Sequence, residues 1–179
     1  MAEAFRSRRL TWRIIFVLLA TVIAFLQLLP LNPGPGQLPG PELFVLFTFA
    51  WVLRRPEHVP TLLVAIVILL ADFLFLRPPG LWAAIVVVGL EFLRSRESSL
   101  RDVSFFAEWG VVAVLLTGMW VSATLILLIF GVDQPPFGLT LIQLIFSVLA
   151  YPPVVFVTAG LFGLKKVSPG EFNQLGRRA

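Results

Sequence analysis

The run FFAEWGVVAVLLTGMWVSATLILLIFG, residues 105–131, carries a single charged side chain, Glu108, in what would be its first turn. A helix rises ~1.5 Å per residue, so about 20 apolar residues cross the hydrocarbon core of a bilayer. The run is therefore read as a membrane-spanning helix. Working outward from it, five more apolar stretches emerge, at about 12–31, 41–53, 59–76, 81–93 and 139–164. The stretches at 41–53 and 81–93 are short for a span and require extension by their flanks, tilted partners or locally thin lipid. The reading is an all-α, polytopic integral membrane protein, with six transmembrane helices forming one domain over residues 1–179.

Bulk composition agrees. Of 179 residues, 58% are hydrophobic and only 13% charged, with a mean hydropathy of +0.93. A soluble domain carries roughly 25% charge, so a cytosolic enzyme, a disordered chain and a secreted disulfide scaffold are all excluded as readings. The absence of cysteine removes thiolate chemistry, and a single histidine, His58, leaves no His-rich metal site. No cofactor or metal is expected.

The net charge of +4 would suggest nucleic acid in a soluble protein. Here the basic residues fall in clusters between apolar runs, which is the pattern of topology determinants; no nucleic-acid partner is expected. Arg6, Arg8, Arg9 and Arg13 precede the first stretch; Arg54 and Arg55 follow the second; Arg94, Arg96 and Arg101 follow the fourth; Lys165, Lys166, Arg177 and Arg178 follow the sixth. The intervening loops, 32–40, 77–80 and 132–138, together hold only Arg77. By the positive-inside rule both termini are cytoplasmic and the number of spans is even. The first stretch is too long for the apolar core of a signal peptide and is read as retained. Trp12, Trp51, Trp82 and Trp109 lie near helix ends, where indoles favour the headgroup region, while Trp120 is mid-span and packs between helices.

The short stretches share a pattern, Pro39-Gly40 with Arg54 and Glu57, then Pro79-Gly80 with Arg94 and Glu97. Three in–out–in hairpins would produce it, although any helical hairpin needs such flanks. The linker 94–104, rich in serine and charge, reads as solvated. In the last stretch, Pro152 and Pro153 remove two amide donors; a kink is expected, with backbone carbonyls and the Tyr151 hydroxyl bonding a neighbouring helix.

Ionisable groups within apolar stretches are costly and mark candidate sites. Glu91 pairs with Arg94 at i,i+3; Glu108 and Glu42 lie where helix dipoles favour a carboxylate. Asp72 cannot snorkel and calls for a buried partner, either helix N-terminal amides or Arg77. Glu42, Asp72, Glu91, Arg94, Tyr151 and Pro152 are the candidate partner-binding or structural polar residues. No zincin, nucleophile-elbow or Walker A motif occurs, so no catalytic residue is assigned and the protein is read as a non-enzyme.

The ordered set Pro41-Glu42-Leu43, Trp51 to Pro56, Leu70-Ala71-Asp72, Pro79 to Trp82 and Tyr151-Pro152 resembles the MreD family of bacterial rod shape-determining membrane proteins. That family usually has Pro-Asp where this chain has Pro41-Glu42, which keeps the charge and lengthens its reach. The resemblance implies a scaffold of the peptidoglycan elongation complex in the bacterial cytoplasmic (inner) membrane. It implies a bitopic MreC-like protein as partner, with a RodA-like polymerase, a class B penicillin-binding transpeptidase and MreB in the same machinery, and membrane lipid around it. It further implies a fold similar to the S-components of ECF transporters. Ala83, Ala84 and Gly89 on the fourth span, and Gly110, Gly118 and Ala123 on the fifth, would let a partner's helix approach closely. The alternative is a small-molecule- or lipid-binding component of a transporter, which would require a polar cavity among the spans.

Overall fold

The computed structural model describes residues 2–29, 39–56, 59–101 and 103–162, with side chains from Leu10 to Gly160, Arg101 excepted. Its described part is all-helical: α1 (Ala2–Leu28), α2 (Leu43–Arg54), α3 (Thr61–Leu74), α4 (Leu81–Ser95), α5 (Glu97–Arg101), α6 (Phe105–Ile129) and α7 (Phe137–Phe162). Six of these lie within about two residues of the expected stretches at most ends; α1 starts well before the stretch at 12–31. The short helix α5 occupies the linker that was read as solvated, and its Leu100 is buried. Glu57, His58, Asp102, the lysines and arginines after residue 162 and most of loop 32–40 lie outside the described residues.

The boundaries have local causes. Pro60 sits extended at the N-cap of α3 (ψ 144°). At the N-cap of α6, the Ser104 hydroxyl accepts from the amide of Ala107 at 3.4 Å. The turn into α4 has Gly80 at φ +87°, where a side chain would be strained. Arg55 and Pro56 stop α2, since the residue before proline is pushed out of the helical region.

Helices α1, α6 and α7 are long and apolar enough to cross a membrane, with 19-, 25- and 24-residue candidate spans. Helices α2, α3 and α4 have 12, 14 and 15 residues, about 18–22 Å of rise. The expectation that α2 must adjust to lipid is corrected by its surroundings. Every residue from Phe44 to Arg54 is buried, with α2 packed most extensively on α7 and also on α4 and α1. A helix sheathed in protein has no hydrocarbon thickness to match. For the same reason Trp51 is not at a headgroup interface: it is 0% exposed, at the centre of an aromatic cluster. Trp12, Phe16 and Phe47 surround it with centroids 6.0, 5.7 and 5.2 Å away, all edge-on, an arrangement that suits the ring quadrupole. Large apolar side chains point outward from α1, α3, α6 and α7, including Leu18, Phe25, Leu62, Phe73, Val114 and Phe156, as suits a surface covered by lipid rather than water.

Candidate functional site

Consecutive long helices run antiparallel, so polar contacts collect at the two ends of the bundle. At the end carrying the α3–α4 turn, the Asp72 carboxylate accepts from the backbone amides of Gly80 and Ala83, both at 3.1 Å. Asp72 is 1% exposed and sits on the positive end of the α4 dipole. Of the two expected partners it takes the helix amides. Arg77 bonds Glu42 instead, through Nη2 at 2.7 Å and Nη1 at 3.4 Å. Gln143 of α7 donates to the same Glu42 oxygen at 2.9 Å, and the Glu42 amide donates to the Ser147 hydroxyl at 3.0 Å. Glu42 stands at the N-cap of α2 without capping it. Its carboxylate ties α2 to α7 and to the α3–α4 turn.

At the opposite end, Arg54 is not a loop charge as the charge pattern suggested. It is buried in the last turn of α2, donates to the Ala50 carbonyl at 2.9 Å, and pairs with Glu108 of α6 at 3.2 Å. The same Glu108 oxygen accepts from the Tyr151 hydroxyl at 2.6 Å. Glu108 is 0% exposed, so the helix dipole alone was an incomplete explanation for it. Arg54 and Glu108 were both absent from the candidate set; each had a sufficient local explanation, and nothing in their spacing showed that they meet. Glu91 lies within 3.8 Å of Arg94, as expected, and also accepts from the Thr61 hydroxyl, while Arg94 donates to the Val59 carbonyl at 2.7 Å. These bonds close the α3–α4 hairpin.

Helix α7 runs on through Pro152 and Pro153. Pro152 cannot donate to the carbonyl of Val148 one turn earlier; the indole N–H of Trp109 does so at 2.8 Å. The expected bonding of freed carbonyls to a neighbouring helix is met here, and Trp109 acts as an interhelical donor rather than as a headgroup anchor.

The candidate polar residues thus stitch helices together, and none of them lines the apolar recess on the far side of α4. That recess is an apolar groove of about 910 Å³ between α4 and α6, with α5 at one end. It extends from Leu81 and Ile126 to Arg96, Ser99 and Val103, the length of α4. Ala84, Gly89, Gly110 and Gly118 line it, as expected of a helix-docking face; Ala83 is buried, and Ala123 lies in a different cavity. A β-carbon at Gly110 or Gly118 would meet no atom within 4 Å, whereas at Gly89 it would come within 2.9 Å of Met119 Sδ. Gly89 serves packing inside the monomer, and the two α6 glycines keep the groove open. Val114 projects between them, 75% exposed. Among the described residues no group of three His, Asp or Glu side chains could hold a metal ion. Comparison with family models, curated proteins and solved structures gives no match.

Proposed function

We propose that this chain is a non-enzymatic membrane adaptor of the MreD type, which receives the single transmembrane helix of an MreC-like protein in the α4–α6 groove. In this reading it has six spans, lies in the bacterial cytoplasmic membrane with both termini cytoplasmic, and supports rod shape through the peptidoglycan elongation machinery. A RodA-like polymerase and a class B transpeptidase are reached directly or through that partner. The observation that carries the adaptor reading is the groove itself. It is long, apolar and kept open by Gly110 and Gly118, whose lost side chains serve no packing within the monomer. Helix association in lipid depends on close van der Waals approach, which small residues permit. The polar residues behind the groove anchor its walls, Asp72, Glu91 and Arg94 holding α4 to the α3 side of the hairpin and Glu108 holding α6 to α2 and α7.

The test is co-purification of the MreC-like protein with Gly110→Leu and Gly118→Leu variants from native membranes. A β-carbon at either position meets no atom within 4 Å, so each leucine enters the groove without a backbone clash; the thermal midpoint of the isolated protein should be little changed while recovery of the partner falls at least tenfold. Undiminished recovery with both variants would sink the groove assignment.

A further inference from the structure

A second cavity, of about 360 Å³, opens at the bundle end that carries the α3–α4 turn. This is within the usual size range of small-ligand sites. It is enclosed by the start of α2, that turn, the C-terminal half of α6, the α6–α7 loop and the first turns of α7. Its chemistry is unlike that of the groove. The Glu42–Arg77 pair lies in its wall at 2.7 Å, so the two charges compensate each other, and Glu42 also accepts from Gln143. Arg77 spends two of its five N–H donors on Glu42. Its guanidinium lies 5.2 Å from the Phe75 ring centroid and 5.7 Å from that of Trp82.

The remaining polar groups alternate in sense. Asp133, exposed and lining the cavity, makes no hydrogen bond or ion pair among the described residues. Gln134 and Gln143 commit their amide nitrogens to the Thr124 carbonyl and to Glu42, at 3.0 and 2.9 Å, which leaves their oxygens as acceptors. Arg77, Trp82 and Trp120 also line the cavity, and each carries N–H donors. Trp120 and Phe137, with centroids 5.7 Å apart, form an apolar wall.

An anion in this cavity would face Glu42 and Asp133, and a cation, which has no acceptor to offer, would leave the remaining Arg77 N–H donors unmet. A neutral molecule rich in hydroxyls avoids both conflicts, because each hydroxyl donates once and accepts through two lone pairs. A sugar ring combines such a rim with an apolar C–H face that can lie against Trp120 and Phe137. We infer that this cavity binds a neutral sugar ring, supplied either as a free glycoside or as the headgroup of a glycolipid. This site adjoins the α4–α6 groove at Leu81, shares no other lining residue with it, and does not rest on the adaptor reading.

The experiment uses the full chain in lipid nanodiscs, prepared without glucoside or maltoside detergents. Equilibrium dialysis with radiolabelled methyl β-glucoside tests the free source; nanodiscs with and without a monoglucosyl diacylglycerol, read by thermal midpoint, test the lipid source. Saturable binding of either probe, weakened at least tenfold by Asp133→Ala and by Trp120→Leu but kept in Gly118→Leu, is the expected result, and the responding probe identifies the source. Asp133 is exposed, so its variant keeps the test informative even if Trp120→Leu fails to fold. The inference is overturned if neither probe binds, if Asp133→Ala binds as tightly as the parent chain, or if inorganic phosphate or choline binds more tightly than the glycoside.

Discussion

Glu108 accepts from two donors on two other helices, Arg54 of α2 and Tyr151 of α7. Removing one partner of a buried ion pair leaves a charge without compensation, at a cost of about 3–5 kcal/mol, whereas replacing both by apolar groups of similar size is often close to neutral. The Tyr151 bond to the Glu108 carboxylate is charge-assisted and worth about 1.5–3 kcal/mol, less than the loss of the charge itself, so the charge should dominate over the tyrosine. Glu108→Ala is expected to lower the unfolding midpoint sharply and Tyr151→Phe by less. The double variant Arg54→Met/Glu108→Leu should be more stable than Glu108→Ala alone. Denaturation in mixed detergent micelles, followed by circular dichroism, measures all three; a double variant no more stable than Glu108→Ala would show that the pair is not coupled. At this scale the sequence was only partly legible. Asp72 and Glu91 met partners within their own hairpin, close enough in sequence to foresee. Arg54 and Glu108 are 54 positions apart, and each was individually explained by charge patterning or by a helix end, so no local conflict pointed to the other.

Among the elements, α7 shows how a proline can specify an interface instead of a break. The Val148 carbonyl, deprived of its donor by Pro152, is exposed to a low-dielectric interior, where an unsatisfied acceptor is expensive. Trp109 of α6 satisfies it and thereby sets the register of α6 against α7. The coupling can be read in a double-mutant cycle. Trp109→Phe is expected to be destabilising by about 1 kcal/mol in the parent chain, and less so in a Pro152→Ala background, where the restored backbone N–H can take over the carbonyl. Equal costs in both backgrounds would show that the indole bond does not depend on the proline. Helix α2 teaches the complementary lesson. Its 12 residues are too few to cross lipid, but apolar content alone does not distinguish a helix that faces lipid from one that faces other helices. Only the packing of α7, α4 and α1 around it settles that. The small residues of α4 and α6 were legible as a close-approach surface; that Gly89 faces inward and Gly118 outward was not, since it depends on the rotation of each helix about its own axis.

For the molecule as a whole, the exposed apolar side chains of α1, α3, α6 and α7 require a non-aqueous surround, and the charge distribution supplies a direction for it. Taking Arg54 out of the loop charges leaves the argument standing. Arg55, Arg96 and the arginines at the start of the chain still lie toward one end, against Arg77 at the other. Arg77 is itself offset by Glu42 at 2.7 Å, which weakens the single charge opposing the bias. The six-span, cytoplasmic-termini reading therefore places α5 on the cytoplasmic side and the start of α7 on the opposite side. Because the chain contains no cysteine, one introduced thiol gives an unambiguous label. Ser98 is exposed, and Gly138 has open space where a β-carbon would go, so Ser98→Cys and Gly138→Cys should both fold. A membrane-impermeant maleimide applied to intact spheroplasts is expected to label Gly138→Cys and spare Ser98→Cys, with both labelled after permeabilisation. The reverse pattern would invert the orientation and place the sugar cavity on the cytoplasmic face. Labelling of both thiols in intact spheroplasts would mean that the α6–α7 loop and α5 share one side, which antiparallel spans of the length of α6 cannot allow.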